Sequence, residues 1–398
     1  MSAIKPWIKF SIAALFFLFK FMQMTMFNTL ADPLMQDFQL SHSQVGYLAA
    51  VFFVTATALS IPAGWLVDKY SLRKIILIGM ALSIMNVWLM QQSEQLTSLY
   101  IIRIMQGVIQ SCCFIVVLKL GTFYFPARYM ALASGLLVTL GMIGGIVAQE
   151  PLAFLVQQIG WRPALWWLAA AGSVIFILQF VAIDNVKVKP STAAPMKASY
   201  LIAAFKNPQN WLAGLYTSMV NIPLMILGGL WGNQYLVNTH QMNELTASSI
   251  CSMLFVGTLV GSPLMGYISD KMGRRCLPMI WSVIVTLGLL ALVVMLPMLN
   301  SLMLHLLFLA IGIITSAQVI PYPLITESNP QVYAGSALSI ASTLIMGGPL
   351  VFQPAFGWMV EHYSFTTAFL LLPAALILSL LCVALLRETY CKAYEVHH

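Results

Sequence analysis

Runs of about 20 apolar residues recur along all 398 residues of the chain, and each is long enough to cross a bilayer core of about 30 Å. Only 8% of the residues are charged, whereas about a quarter are charged in soluble domains, so a soluble globule is excluded. In lipid the backbone must satisfy its own hydrogen bonds, which leaves helices or closed barrels. The runs are too long and too uniformly apolar for barrel strands, whose lipid-facing and lumen-facing residues alternate. The chain therefore reads as an all-α membrane protein.

Charges and turn residues divide the runs into twelve predicted helices, near 10–31, 44–66, 74–92, 98–121, 129–150, 163–183, 209–232, 246–268, 276–297, 301–324, 333–357 and 365–386. The stretch 184–208 holds Lys187, Lys189, Lys197, Lys206, Pro190 and Pro195 with few large apolar residues, and reads as a polar linker. It separates two predicted six-helix bundles, 1–183 and 209–398.

The net charge of +7 does not point to nucleic acid, because the 19 basic residues are scattered among short loops and form no basic face. They report topology instead. With the N-terminus inside, Lys5, Lys9, Lys69, Arg73, Lys74, Arg128, Lys187, Lys189, Lys197, Lys206, Lys271, Arg274, Arg275, Arg387 and Lys392 fall on the cytoplasmic side. The outside loops carry only Arg162. Positive residues resist translocation, so both termini are expected in the cytoplasm. Compact loops without a targeting extension suggest a bacterial inner membrane. No small-residue cleavage site follows the first run, which is expected to be a retained helix. The six cysteines form no CxxC pair and read as packing thiols, so neither a metal nor a cofactor is expected.

Polar residues inside the spans are few and therefore informative. Lys20 sits near the middle of the first helix, too deep to snorkel to the surface easily. Gln23, Phe27 and Asn28 follow on the same helical face. The fourth helix carries Arg103, Gln106 and Gln110 in a second stripe, with Lys119 nearer the inner mouth. A guanidinium fork suits a carboxylate or a phosphate. The acids Asp32, Glu150 and Glu327 all fall near helix ends, leaving the predicted centre basic. An exporter of cations would need a central carboxylate, so the expected substrate is a small organic anion, such as a carboxylate-rich metabolite or a metal–carboxylate chelate. Glu150 is the best candidate for a titrating or arginine-paired group at the outer end, with Asp32 beside it. No phosphate-binding loop, nucleophile elbow or HExxH is present, so the chain does not read as an enzyme.

A segment of the first half recurs 202 residues later. Gly64-Trp65-Leu66-Val67-Asp68-Lys69-Tyr70-Ser71-Leu72-Arg73-Lys74 aligns with Gly266-Tyr267-Ile268-Ser269-Asp270-Lys271-Met272-Gly273-Arg274-Arg275-Cys276. The glycine, the aspartate and the closing basic residues keep their spacing. With these two copies the sequence resembles the major facilitator superfamily of secondary transporters over nearly its whole length. Ser71 and Leu72 depart from the family's loop, where a glycine and a further basic residue are usual. Arg103-Ile104-Met105-Gln106-Gly107 is similar to the family's fourth-helix motif, and Ser41 to Gly46 and Gly160-Trp161-Arg162 are also family-like. Gly135, Gly141, Gly144 and Gly145 match in part a glycine motif of exchangers, and Gly141 with Gly145 equally suits close helix packing.

The resemblance implies two pseudo-symmetric bundles of inverted three-helix repeats, a midplane site and alternating access. It implies that Arg103 takes part in proton or substrate coupling. It also implies that helices 7 and 10 face the site, offering Tyr216, Asn221, Trp231, Asn233 and Gln234 from one and His305, Gln318 and Tyr322 from the other. His305 is a further proton-linked candidate. Gly64, Asp68, Arg73 and Lys74, with Gly266, Asp270 and Arg275, are expected to gate the conformational cycle. The expected partners are a small anionic molecule, a coupling proton and the lipid bilayer, around a monomer. Two other readings are a proton-coupled exporter of amphipathic compounds and a non-transporting membrane receptor or scaffold. The lack of a sizeable soluble domain stands against the receptor.

Overall fold

The computed structural model describes residues 4–126, 129–184, 198–296, 299–330 and 334–392. Arg128 and most of the expected linker, including Lys187, Lys189, Pro190, Pro195 and Lys197, lie outside the described residues. Every assigned element is a helix, and the chain divides into two compact units, Met1–Thr192 and Ala193–His398.

The first unit comprises α1 (Ile4–Thr25), α2 (Phe27–Phe38), α3 (His42–Ala58), α4 (Ser60–Lys69), α5 (Leu72–Gln91), α6 (Leu96–Tyr124), α7 (Met130–Val147), α8 (Glu150–Ile159) and α9 (Trp161–Ala182). α1 packs along α7, α3 along α6, and α5 along α9. Small residues set these approaches. A Cβ at Gly144 would lie 2.3 Å from the carbonyl oxygen of Leu18, and one at Gly107 would lie 2.5 Å from that of Phe52. Backbone cannot yield as a side chain can, so both positions need glycine. Ser41 opens α3 with a reciprocal capping box to Gln44, which satisfies two backbone donors as the chain enters the bundle. Gly160 turns the chain from α8 into α9 at φ 83°, where a side chain would be strained.

The second unit comprises α10 (Ala198–Lys206), α11 (Pro208–Val220), a π-helical turn (Leu224–Gly228), α12 (Gly232–His240), α13 (Glu244–Met272), α14 (Cys276–Met295), α15 (Ser301–Thr315), a 3₁₀ turn (Ser316–Val319), α16 (Pro321–Glu327), α17 (Ala334–His362), α18 (Phe365–Phe369) and α19 (Leu371–Leu385). Asn243, Asn300 and Ser364 cap α13, α15 and α18 through their side-chain oxygens. α13 and α15 meet at Gly257 and Gly312, each facing backbone of the other helix.

Among the described residues, ten helical segments are long and apolar enough to cross a membrane. The two expected spans missing from them, 44–66 and 209–232, are present as interrupted helices. Proline explains the pattern: its ring clashes with the carbonyl four residues earlier and it offers no N–H. α3 ends at Ala58, four before Pro62; α7 at Val147, four before Pro151; α8 at Ile159, four before Pro163; and α18 at Phe369, four before Pro373. The seventh span breaks around Pro223, where glycines at 228, 229 and 232 weaken the helix further. There the Trp231 N–H bonds to the Ile226 carbonyl at 2.8 Å, a five-residue step. Pro33, Pro263, Pro349 and Pro354 sit inside unbroken helices, so the rule has exceptions. The first span divides without proline at Met26, just after Thr25 turns its hydroxyl back to the Phe21 carbonyl.

Candidate functional site

In the first unit α1 and α6 hold two buried cations in unlike surroundings. Lys20 is 0% exposed, and its ammonium donates to Oε1 of Gln23 at 2.8 Å. Gln23 is fixed in turn, because its Nε2 donates to the Ser83 carbonyl of α5 at 2.9 Å. An ammonium has three donors, and among the described residues this is the single hydrogen bond of Lys20.

Arg103 is also buried, but its guanidinium is well occupied. Nε donates to the Leu48 carbonyl at 3.1 Å, Nη2 to the Ala49 carbonyl at 3.2 Å, and Nη1 to Oε1 of Gln106 at 3.1 Å. Its charge lies 4.0 Å from the ring centre of Phe27 and 4.8 Å from that of Phe52. Arg103 thus ties α2, α3 and α6 together. Among the described residues no carboxylate forms an ion pair with Lys20 or Arg103. Nε2 of Gln106, Oε1 of Gln110 and both amide atoms of Asn86 are buried without a hydrogen-bond partner among the described residues.

The remaining expected residues of this unit take other roles. Asn28 donates to Oε1 of Gln149 at 2.8 Å and Thr29 to the Ala148 carbonyl at 2.8 Å, which joins the break in the first span to the break in the fifth. Asp32 lies in α2 and Glu150 opens α8; each is engaged in other interactions. Lys119 donates to the Val67 carbonyl at 3.2 Å.

In the second unit the expected residues are mostly tied to their own bundle. The Tyr216 hydroxyl donates to the Met279 carbonyl at 3.0 Å. Trp231 donates through Nε1 to the Gln353 carbonyl at 3.0 Å and stacks on Phe356, while Gln353 returns Nε2 to the Met225 carbonyl at 3.1 Å. Asn233 donates to Ser248 at 2.6 Å, and Gln234 is buried beside it. Asn221, at the break of the seventh span, keeps a buried Oδ1 without a hydrogen-bond partner among the described residues. Gln318 lies in the 3₁₀ turn, half-buried, and Tyr322 is 38% exposed. His305 has Nδ1 at 2.7 Å from the Ser301 carbonyl, so that nitrogen carries the proton, and Nε2 at 3.1 Å from the Ser249 hydroxyl.

The duplicated loops differ between the units. Arg73 donates to the Phe180 carbonyl at 2.7 Å and lies over the Phe180 ring, and Lys74 stands in the first turn of α5. The side chain of Asp68 lies outside the described ones. In the second copy Arg275 pairs with Asp270 at 2.6 Å and with Glu327 at 2.7 Å. Burial pulls the Arg275 guanidinium down, yet its bonds to Glu327 and Asp270 outweigh this and hold it above the ordinary arginine range. Glu388 accepts the backbone N–H groups of Arg275 and Cys276 at 2.7 and 2.9 Å, and Thr389 donates to Glu327. Sequence reasoning missed Glu388, whose partners are backbone atoms. Gly273 turns the second loop at φ 61°, whereas the first passes extended through Tyr70 and Ser71. At Gly64 and Gly266 a Cβ would meet nothing within 4 Å, so close packing among the described residues does not account for either glycine.

Comparison with known proteins places this architecture. The profile of the Major Facilitator Superfamily matches residues 13–323 and 217–392. The nitrite extrusion protein of Bacillus subtilis (strain 168) is 22% identical over 268 residues, 67% of this chain and 66% of that protein. An uncharacterized transporter of the same organism, YybO, is 24% identical over 38% of this chain and 35% of its own length. The membrane sensor protein UhpC of Escherichia coli (strain K12) is 21% identical over 62% of this chain and 60% of that protein. The matches thus span about a third to two thirds of these relatives' lengths. Among solved structures, an inward-facing, unoccupied bacterial homolog of the human lysosomal transporter Spinster superposes with a TM-score of 0.76 at 15% identity, covering 97% of this chain and 96% of that one. A profile matched across almost the whole chain, two helical units and a shared fold make this multi-pass membrane protein a member of the Major Facilitator Superfamily.

Proposed function

We propose that the chain is a secondary transporter that moves a small organic anion across a bacterial inner membrane by alternating access, with both termini cytoplasmic and a proton as the coupling ion. The observation that carries the reading is Lys20: a fully buried ammonium whose one hydrogen bond among the described residues is to a neutral amide, and which pairs with no carboxylate among them. An unmatched charge within a membrane helix is expensive, and a negative ligand supplies what the protein omits. Gln23, Phe27, Arg103, Gln106 and Gln110 surround that role in the first unit. Asn28 completes the stripe, and Tyr216, Asn221, Trp231, Gln318 and Tyr322 remain the second unit's own candidates for neutral contacts. Asp32, Arg103 and Glu150 remain the candidates for coupling, whereas His305 has both ring nitrogens engaged within its own unit. Relatives named for nitrite extrusion and sulfoacetate transport are consistent with an anion.

The test is a thermal-shift panel of anionic, cationic and neutral metabolites on purified protein, since a ligand of the native state raises its apparent stability. Anions alone should stabilise it. Lys20→Gln should remain folded and bind the stabilising anion more weakly by about 1–3 kcal/mol, the range of a charge-assisted hydrogen bond. Stabilisation by cations, or anion binding unchanged in Lys20→Gln, would overturn the reading. The likeness to UhpC favours a second reading, a receptor that binds without transporting. Binding without flux in proteoliposomes would select it.

A further inference from the structure

The linker ends in α10, a helix of nine residues whose outward face is apolar. Ile202, Phe205 and Lys206 stand at i, i+3 and i+4 and share one side of it. Ile202 is 55% and Phe205 59% exposed, while Ala204, on the other side, is fully buried. So short a helix is marginal alone in water, and the second unit holds it. Nδ2 of Asn210 donates to the Ala204 carbonyl at 2.9 Å and Nε1 of Trp211 to the Phe205 carbonyl at 2.8 Å, which answers two of its terminal acceptors. Asn207, the cap of α11, donates to the Ser328 carbonyl at 3.2 Å and to Oδ1 of Asn329 at 3.0 Å. The Phe205 ring stands edge-on to Trp211, with 4.6 Å between centres. α10 is thus fixed at the first turn of the seventh span, where Ile202, Phe205 and Trp211 make one apolar edge.

Position and charge both name what covers that edge. Lipid surrounds a membrane span, and Trp211, in the first turn of α11, is of the residue type that gathers at headgroup level. The linker that leads into α10 carries Lys187, Lys189, Lys197 and Lys206 and no acid after Asp184, which complements the anionic lipid of a cytoplasmic leaflet. We infer that α10 is an in-plane membrane anchor: Ile202 and Phe205 enter the boundary between headgroups and acyl chains to a depth of ~5–10 Å, and Lys206 meets the phosphate of an anionic phospholipid. The stem of Lys206 lies along the apolar edge while its ammonium stays in the headgroup layer. The second unit is thereby seated on the leaflet at the point where the linker enters it. This holds whatever molecule is transported, and only the choice of leaflet rests on the topology proposed above.

The experiment places a bimane fluorophore at Ile202→Cys, and separately at Phe205→Cys, in the full-length chain with its six native cysteines replaced, reconstituted in proteoliposomes. Phosphatidylcholine brominated near the headgroup end of its acyl chains should quench either probe at least about twofold more than aqueous iodide, and more than lipid brominated near the chain ends. Phosphatidylglycerol brominated at the same carbons should quench more strongly still. Lys206→Gln should reduce that preference by up to about fivefold in relative association, and Lys206→Arg should keep it. Quenching by iodide and not by lipid would put the helix in water and overturn the inference. Quenching by neither would mean that protein covers the edge, and would overturn it as well. Equal quenching by the two headgroups, unmoved by Lys206→Gln, would overturn the assignment of Lys206 to an anionic lipid. Two probe positions keep the test decisive where one variant does not fold. Labelling of Lys197→Cys from outside the cell would reverse the leaflet and leave the quenching by lipid in place, so a failure of the topology is distinguishable from a failure of the anchor.

Discussion

At the scale of single residues, what separates a functional charge from a structural one is how many of its hydrogen-bonding directions the protein already fills. His305 illustrates the filled case. Nδ1–H faces the Ser301 carbonyl within α15 and Nε2 faces the Ser249 hydroxyl of α13, so both ring nitrogens are engaged and one of them joins the two helices. His305→Gln is expected to lower stability by about 1 kcal/mol, the worth of an ordinary hydrogen bond, and to leave the pH profile of transport unchanged. A displaced pH profile in proteoliposomes would return His305 to the coupling machinery. The stripe Lys20–Gln23 and the pair Arg103–Gln106 were legible in the sequence because both follow helical spacing. The acceptors at Ser83, Leu48 and Ala49 were not, because a carbonyl oxygen is the same in every residue type. Those three atoms nonetheless set the different surroundings of the two cations.

At the scale of elements, apolar length revealed the spans but hid their interruptions. Hydropathy averages across a proline, whereas the backbone loses one donor and meets one clash. Counting four residues back from Pro62, Pro151, Pro163 and Pro373 would have placed four helix ends from the sequence. Pro263 and Pro349, inside continuous helices, show why the count is not sufficient. Pro62→Ala supplies an N–H for the Ala58 carbonyl and should join α3 to α4 in one helix. Hydrogen exchange should then slow at residues 60–63, and unchanged exchange there would show that packing rather than proline holds the break. The bonds from Asn28 to Gln149 and from Trp231 to Gln353 show a related economy. Where a span is interrupted, polar side chains there and on a neighbouring span exchange hydrogen bonds with each other's backbone or amide groups.

At the scale of the whole molecule, the repeat of 202 residues foretold duplication but not how far the copies diverge. Gly273 and the carboxylates around Arg275 mark the second loop, while the first uses a carbonyl and a ring at Phe180. Charge placement remains the guide to orientation. In a cysteine-free background, an impermeant thiol reagent applied to intact cells should label Asp37→Cys, Gln95→Cys and Asn238→Cys. It should spare Lys197→Cys, and labelling there would reverse the topology. Asp68→Asn is expected to slow transport severalfold with equilibrium binding unchanged, because a loop that latches one conformation acts on the rate of exchange between states. Lost affinity at normal transport rates would contradict that role.

The carboxylate of Glu388 also sets an order of events during biosynthesis. It closes the start of α14 from 113 residues further along the chain. At about 5–20 residues per second of synthesis, the ninth span waits roughly ten seconds after emerging before its terminal N–H groups can find that partner. Until then water or another acceptor must serve them. The second unit therefore reaches its final hydrogen-bonding pattern only after nearly all of it has been translated, and a ribosome that stalls before residue 388 leaves behind a bundle with an open seam.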